Sequence, residues 1–224
     1  MTFFENSPKY GDLPKILPIF PLNGVLILPG SELPLHIFEK RYIQMLQDSI
    51  KTSSLIGIVQ PLESSNLDTK PNLYEVGCAG RIIGYRETED GRYFITLHGI
   101  CRFKLSKENI TDTEYRQYIV DYSKYKDDFA EIDLRQNLFD RKILFPNLKL
   151  YLSRHDIKID LAALDSVADS IIIQSLAMTC PFEPSEKQFI LEANSIEERA
   201  KIVSSLIEIS IKSQSHSSES NQIQ

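Results

Sequence analysis

The chain has no tryptophan, no long apolar run and only three cysteines, Cys78, Cys101 and Cys180. These cysteines are odd in number and widely spaced, and no two form a Cys-x-x-Cys pair, which argues against a disulfide framework and a zinc site. No stretch approaches the roughly 18 apolar residues that suggest a membrane span, and the N-terminus does not resemble a secretion signal. We therefore expect a soluble, cytoplasmic protein with reduced, partly buried thiols and without a metal or other cofactor.

The chain also lacks an excess of basic residues over acidic ones. The chain has 31 acidic and 25 basic residues, a formal net charge of −6, and neither half is basic. Proteins that bind nucleic acid neutralise phosphates with clustered lysine and arginine, so the balance argues against nucleic acid as the main partner. No glycine is followed by lysine, so the phosphate-binding pattern Gly-x-x-x-x-Gly-Lys-Ser/Thr is absent.

The segment from Leu33 to Met45 shows the clearest change of periodicity. Apolar residues first recur at every second position, at 33, 35 and 37, and then at helical spacing, at 38, 42 and 45. This pattern predicts a strand that runs directly into a helix of about residues 39–50, with Glu39 near the positive end of the helix dipole. Because the junction leaves little room for a linker, we expect the strand and the helix to form one rigid body.

The remainder of the first half has the pattern of short strands. Apolar or alternating segments cover residues 16–22, 55–60, 76–85, 93–97, 101–105 and 118–122, and residues 25–28 form a short buried segment. Asp90-Gly91 predicts a tight hairpin and Gly99 a further turn, while Arg102 and Lys104 fall on the polar face of their strand. Six or seven strands are enough to close a small barrel.

From about Asp127 the period becomes helical. We predict a helix over 132–145 that Pro146 breaks or kinks, and a second one that Asp160 caps and Cys180-Pro181 ends. Capping boxes predict further helix starts at Ser185 and Ser195, and the last helix extends to about Lys212. The predicted organisation is a flexible arm, a β domain, a helical domain and a disordered tail, at residues 1–12, 13–123, 124–212 and 213–224. A mobile polar loop is expected over 64–72.

Several motifs carry a family resemblance. They are Leu17-Pro-Ile-Phe-Pro-Leu22, Pro34-Leu-His-Ile-Phe-Glu39 followed by Arg41-Tyr42, Gly77-Cys-Ala-Gly-Arg-Ile, Asp90-Gly-Arg, and Leu97-His-Gly-Ile-Cys-Arg-Phe103. Together they resemble the N-terminal substrate-binding domain of the ATP-dependent Lon protease, over about residues 13–212. The resemblance implies an α+β fold, in which an N-terminal PUA-like β pseudo-barrel with one inserted helix precedes a C-terminal helical bundle. It also implies that the domain captures polypeptides.

A full protease of this family continues into a nucleotide-binding motor and a Ser-Lys peptidase domain, and the present sequence contains neither. We therefore expect a free-standing module that is not an enzyme. His98 and Cys101 lie three residues apart, so in an extended strand their side chains face opposite sides. They could form a thiolate–imidazole pair only if the chain turned at Gly99 and brought them together. Acidic pairs such as Asp127-Asp128 fall at helix starts or turns and are expected to be solvated. We predict neither catalytic residues nor a metal cluster.

The candidate contact surface is a groove beside the strand–helix junction together with exposed strand edges, where an extended peptide could add backbone hydrogen bonds. Its predicted members are Pro34, His36, Phe38, Glu39, Arg41, Tyr42, Tyr85 and Tyr93. For His36, which lies opposite Leu35 and Ile37, a hydrogen bond to nearby backbone is the main expectation and contact with a ligand is the alternative.

The sequence thus predicts a non-catalytic module that binds exposed apolar segments of unfolded polypeptides and recruits or modulates substrates for a protease. The alternative is an RNA-binding PUA-like protein, whose affinity would fall as salt rises. A third hypothesis is a small enzyme, which requires a pocket with converging titratable groups.

Overall fold

The structure is a computed structural model that describes residues 8–62, 70–131, 133–157 and 160–219, with side chains as far as residue 213. It divides into two compact units, Met1–Glu131 and Ile132–Gln224, which are described separately. The division follows Glu131 rather than the predicted residue 123, because the 3-10 segment Ser123–Phe129 packs against the strands of the first unit. Residues 1–7 of the predicted arm and 63–69 of the predicted loop lie outside the described residues.

Among its described residues, the first unit contains six strands and one α-helix. In chain order they are β1 (Ile16–Pro21), β2 (Glu32–Ile37), α1 (Lys40–Lys51), β3 (Leu55–Val59), β4 (Val76–Glu87), β5 (Tyr93–Asn109) and β6 (Arg116–Asp121). The strand order is β2-β5-β4-β3-β1-β6, and β6 also pairs with β5, so that the sheet closes into a barrel with β2 attached to its outside. Only the pairing of β1 with β3 is parallel among these strands. The predicted pseudo-barrel with one inserted helix is confirmed.

The predicted strand–helix junction is confirmed as well. β2 ends at Ile37 and α1 begins at Lys40, with Glu39 as its N-cap residue. Leu33, Leu35 and Ile37 lie on the more buried face of β2. Only Phe38 and Glu39 separate the two elements, so the junction is short.

The hairpin between β4 and β5 has the predicted turn. The Gly91 N–H donates to the Thr88 carbonyl over 2.9 Å, and Gly91 has a φ of 77°, which favours glycine. The prediction that Gly99 turns the chain is wrong, because β5 continues through Gly99, with only a shift of its register against β4 between Gly99 and Cys101. The lack of a side chain at this position serves close packing instead: a Cβ there would lie 2.1 Å from the Leu28 carbonyl oxygen.

The second unit is helical, with α2 (Arg141–Arg154), α3 (Asp169–Thr179), α4 (Pro184–Glu192) and α5 (Ile196–Glu219). The α+β fold class is thus confirmed. α2 begins at Arg141 rather than at residue 132, because the Asp140 carboxylate accepts a hydrogen bond from the Lys142 N–H over 2.8 Å and caps the helix there. Pro146 does not end the helix, which continues to Arg154.

Three further helix boundaries test the capping predictions. Asp160 caps only a 3-10 turn, Ala162–Leu164, and α3 begins later, although it does end before Cys180 as predicted. α4 begins at Pro184 rather than Ser185, since Glu183 and Glu186 form the capping box. The Ser195 hydroxyl accepts a hydrogen bond from the Glu198 N–H and precedes α5 as predicted, but the helix extends beyond Lys212 to Glu219. Residues 220–224 of the predicted tail lie outside the described residues.

Candidate functional site

Strands β2, β5 and β4 place two rows of side chains next to each other. Residues directly opposite one another in an antiparallel pair share a face of the sheet. The strand register therefore defines an aromatic row, His36, Phe94 and Arg86, and a low row, Pro34, Thr96 and Gly84. Each row takes one residue from each of the three strands.

The aromatic row is a continuous exposed stack. The rings of His36 and Phe94 are nearly parallel, at 16°, with centroids 4.5 Å apart, and Cζ of Arg86 lies 5.5 Å from the Phe94 centroid. Phe38 lies next to His36 on the other side, with its ring tilted by 53° and the two centroids 5.8 Å apart. Phe38 is 60% exposed and Phe94 is 45% exposed. Large aromatic side chains exposed side by side are typical of an interaction surface.

The low row has short side chains and lines an open depression of about 540 Å³. Both rows line it, together with Leu35, Tyr85 and Ile95. Gly84 leaves the most room, because a Cβ at this position would meet no heavy atom within 4 Å. An apolar side chain of a ligand can therefore lie against Gly84 and Thr96, with the aromatic row beside it.

The predicted contact residues divide into three groups. Pro34, His36 and Tyr85 line the depression, with Tyr85 56% exposed, and Phe38 lies beside it. For His36, the structure gives ring stacking and no hydrogen bond among the described residues, so the main expectation of a backbone bond is wrong. Glu39 and Arg41 form an ion pair of 2.7 Å at the start of α1 and are not among the residues that line the depression.

Tyr42 and Tyr93 are core residues, and their prediction as contact residues has to be corrected. Both side chains are 7% exposed. The Tyr42 ring packs against Phe20 with centroids 4.2 Å apart, and burial raises the pKa of Tyr42. The Tyr93 hydroxyl accepts a hydrogen bond from Nε2 of Gln47 over 3.4 Å. Helical and alternating periodicity correctly predicts buried faces for both tyrosines, so their aromatic character indicates packing rather than binding.

Sequence reasoning missed Phe94, Thr96, Arg86 and Gly84. For Phe94 a signal exists: Tyr93, Ile95 and Leu97 form the apolar face of the strand, so Phe94 is an aromatic residue on the face that should be polar. For Arg86 and Gly84 no local signal exists, because only the register of β4 with β5 places them beside Phe94 and Thr96.

The buried thiols belong to the core. Sγ of Cys101 lies 3.1 Å from the carbonyl oxygen of Arg102 and 3.4 Å from that of Tyr125, so its single S–H is shared between the two acceptors. Burial raises the pKa of Cys101 to about 12 and that of Cys180 to about 12, so both stay neutral and unreactive at physiological pH. Burial lowers the pKa of His98.

We expect the three cysteines to resist alkylation in the native protein. Cys78 and Cys101 are 0% exposed and Cys180 is 1% exposed. A thiol whose pKa is about 12 forms almost no thiolate at pH 8, so iodoacetamide should modify the native chain at least roughly 100-fold more slowly than the chain in urea. Mass spectrometry of quenched samples measures this. Labelling of native Cys101 as fast as in urea would contradict the prediction.

Within the described ranges, the helices are all too short or too polar to cross a membrane.

Comparisons with known proteins agree with this fold. The profile of the family described as the ATP-dependent protease La (LON) substrate-binding domain matches residues 16–208. The Lon protease of Anaeromyxobacter dehalogenans is 25% identical over 205 residues, which are 88% of this chain but only 23% of that protein. The chain thus spans less than a quarter of the length of this curated relative.

Two solved structures are also similar. A Lon N-terminal domain protein from Xanthomonas campestris has a TM-score of 0.55 and 24% identity, over 83% of this chain and 95% of that one. The N-terminal domain of a Mycobacterium avium complex Lon protease has a TM-score of 0.57 and 15% identity, over 87% and 98%. At these identities the likeness establishes the fold. The family match extends over most of the sequence, and the chain therefore belongs to the family of the substrate-binding domain of ATP-dependent protease La (LON).

Proposed function

We propose that this chain binds extended segments of unfolded polypeptides at the aromatic row and the depression beside it, and that it does so without catalysing a reaction. The observation that carries the proposal is the exposed aromatic cluster of Phe38, His36 and Phe94 along an open depression. Membership in a substrate-binding family supports it. A folded protein hides most of its apolar side chains, so a surface of this kind distinguishes unfolded segments from native ones.

The chemistry of the surface fits a peptide. Aromatic rings and a guanidinium plane offer stacking and apolar contact, and strand edges offer backbone donors and acceptors. Binding of this kind needs only association, without proton transfer. The net charge of −6 disfavours the phosphate backbone of RNA, which is the competing ligand for a barrel of this class.

We further propose that the captured segments are destined for proteolysis. The relatives that match the chain are Lon proteases, of which it corresponds to the substrate-binding part. In this role the chain supplies the affinity for a substrate, and an associated protease supplies the cleavage. The proposal includes a cytoplasmic location.

The test measures peptide affinity of a variant in which Phe38 and Phe94 are both replaced by serine. Since the chain has no tryptophan, a short unfolded peptide with one tryptophan reports binding by its own fluorescence. Loss of two exposed rings should raise Kd about tenfold or more, because one buried aromatic side chain contributes roughly 1.5–3 kcal/mol. Ile110→Ser is the control, since Ile110 is 92% exposed and lies outside both rows.

Equal affinity of the double serine variant and the parent chain would contradict this site. RNA that binds at the same residues, with an affinity that falls steeply as salt rises, would favour the alternative function. Circular dichroism of each variant checks that the barrel is intact.

A further inference from the structure

The outer edge of β4 is open for strand pairing. Between Ile83 and Glu87 this edge has no partner strand among the described residues, because β3 pairs with β4 only as far as Arg81. The Thr88 N–H donates to the Arg92 carbonyl, towards β5. Backbone groups alternate in direction along a strand, so those of Tyr85 and Glu87 point away from β5, towards solvent. The edge therefore presents two complete donor–acceptor pairs.

The free edge of β2 is less suited to pairing. The Gly99 N–H donates to the Ser31 carbonyl over 2.8 Å, which fixes the alternation: Ser31 points towards β5, and Glu32, Pro34 and His36 point outward. Proline has no N–H, so the central outward position of this edge lacks its donor. Proline on an edge strand is a common protection against unwanted pairing. Of the two edges beside the aromatic row, that of β4 is the better template.

Arg86 and Gly84 lie on the outer face of this edge, at the ends of the two rows. Arg86 is exposed, its guanidinium lies over Phe94, and no carboxylate of the described residues forms an ion pair with it. Neighbouring Arg92, in contrast, pairs with Asp90 over 3.0 Å. Arg86 thus offers several N–H donors in a plane that suits a carboxylate.

We propose that the bound polypeptide adds to the edge of β4 as an antiparallel strand, and that Arg86 and Gly84 select a segment reading acidic-x-aromatic. This inference rests on the proposed function and specifies its substrate class. In the antiparallel register, the residue opposite Arg86 shares its face, and the residue opposite Gly84 follows two positions later in the bound segment. The residue opposite Arg86 thus places a carboxylate at the guanidinium, and the residue opposite Gly84 places a ring in the depression.

The middle residue of the bound segment supplies the backbone pairing. It lies opposite Tyr85, whose N–H and carbonyl point outward, so its own N–H and carbonyl complete two hydrogen bonds. The acidic residue lies opposite Arg86, whose backbone points towards β5, and its N–H faces solvent. We therefore expect the N–H of the middle residue to contribute to the affinity and the N–H of the acidic residue not to contribute.

The experiment titrates the intact chain with the peptide acetyl-Thr-Asp-Thr-Trp-Thr-amide and with its counterpart in which lysine replaces aspartate. We expect the aspartate peptide to bind about three- to tenfold more tightly, since exposed charge pairs contribute modestly. With Arg86→Glu the preference should reverse, and the lysine peptide should regain affinity. Gly84→Val, which fills the depression, should weaken both peptides, and Ile110→Ser should weaken neither.

Two methylated aspartate peptides test the strand pairing. N-methylation of the middle threonine should weaken binding about three- to tenfold, because it removes one hydrogen bond, whereas N-methylation of the aspartate should change affinity by less than about twofold. Equal effects of the two methyl groups, or equal affinity of the aspartate and lysine peptides, would overturn the inference while leaving peptide binding intact. Failure of every tryptophan peptide to bind would instead overturn the proposed function. A second copy of the chain could occupy this edge instead. A dimer that the peptide does not dissociate would show this and would also overturn the inference.

Discussion

Replacing Asp128 by alanine is expected to lower the free energy of unfolding of the first unit by about 3 to 5 kcal/mol. Asp128 lies in the 3-10 segment Ser123–Phe129, and its Oδ1 is 2.7 Å from Nη2 of Arg102 on β5. The two side chains are only 6% and 7% exposed, and the Arg102 N–H also donates to Oδ2 over 2.8 Å. The alanine variant leaves the guanidinium buried without its carboxylate, and a buried charge without its partner strongly lowers the free energy of unfolding.

Urea unfolding followed by far-UV circular dichroism and tyrosine fluorescence measures the loss. Asp127→Ala is the matched control, because Asp127 precedes Asp128 but is exposed, and it should change stability by less than about 0.5 kcal/mol. The double variant Arg102→Met, Asp128→Leu removes both charges and should lose less than Asp128→Ala alone. Equal stability of the two single variants would show that the pair contributes nothing to the fold.

This pair marks one limit of prediction from local pattern: the expectation that Asp127 and Asp128 are solvated holds for Asp127 and is wrong for Asp128. Alternation correctly predicts that Arg102 points away from Cys101 and Phe103, and Lys104, on the same face, is exposed. Arg102 is nevertheless buried, because the 3-10 segment with Asp128 covers this part of the face and Tyr125 places its ring 4.7 Å from the guanidinium. Periodicity gives the direction of a side chain but not what covers it, since the covering residues are distant in sequence.

The candidate site shows the same limit in another form. The change of period between Leu33 and Met45 predicts both elements of the β2–α1 junction, and with them the outward direction of His36. The partners of His36 depend on the pairing of β2 with β5 and of β5 with β4. Two bulges shift the register of β4 against β5, and one of them lies between Ile82 and Gly84. A shift of one residue would exchange the faces of every side chain beyond it, so the rows could not be predicted from segment patterns.

Some predicted helix starts are wrong for a related reason: several neighbouring residues can serve as the N-cap of the same helix. Ser185 with Gln188 fits the sequence pattern of a capping box, but in the structure Glu183 and Glu186 form the box, and Pro184 at the first helical position favours that start. At Ser195 the predicted helix start is confirmed, although Asn194, one position earlier, is an alternative N-cap residue. The Glu198 carboxylate accepts from the Asn194 N–H over 2.7 Å, one residue earlier than a standard box.

β5 connects the site with the rest of the barrel. Its first part carries Phe94 and Thr96 and pairs with β2 and β4. Further along, Arg102 still lies opposite β4, and the residues from Lys104 onward pair with β6. The continuity of β5 through Gly99 therefore sets the position of the aromatic row relative to the closed barrel. Gly99 is also where the segment before β2 contacts β5, through the Gly30 N–H to the Gly99 carbonyl and the Gly99 N–H to the Ser31 carbonyl, each 2.8 Å long.

Gly99→Ala is expected to destabilise the first unit by about 3 kcal/mol or more and to weaken peptide binding. A Cβ at Gly99 would lie 2.1 Å from the oxygen and 2.8 Å from the carbon of the Leu28 carbonyl group. Backbone atoms cannot rotate away as a flexible side chain can, so the segment Leu28–Ser31 has to separate from β5. That separation would break the two bonds to Gly99 and move β2, which carries Pro34 and His36.

The matched control is Gly84→Ala, the same chemical change in the same sheet. A Cβ at Gly84 meets no heavy atom within 4 Å, so its effect on stability should stay within about 1 kcal/mol. Urea unfolding compares the two variants, and hydrogen exchange of the amides of β2 locates the damage, which should be confined to the Gly99 variant at low urea. If Gly99→Ala unfolds at the same urea concentration as Gly84→Ala, the close approach of Leu28 to β5 does not hold β2 in place, and the position of the aromatic row must depend on the β2–β5 ladder alone.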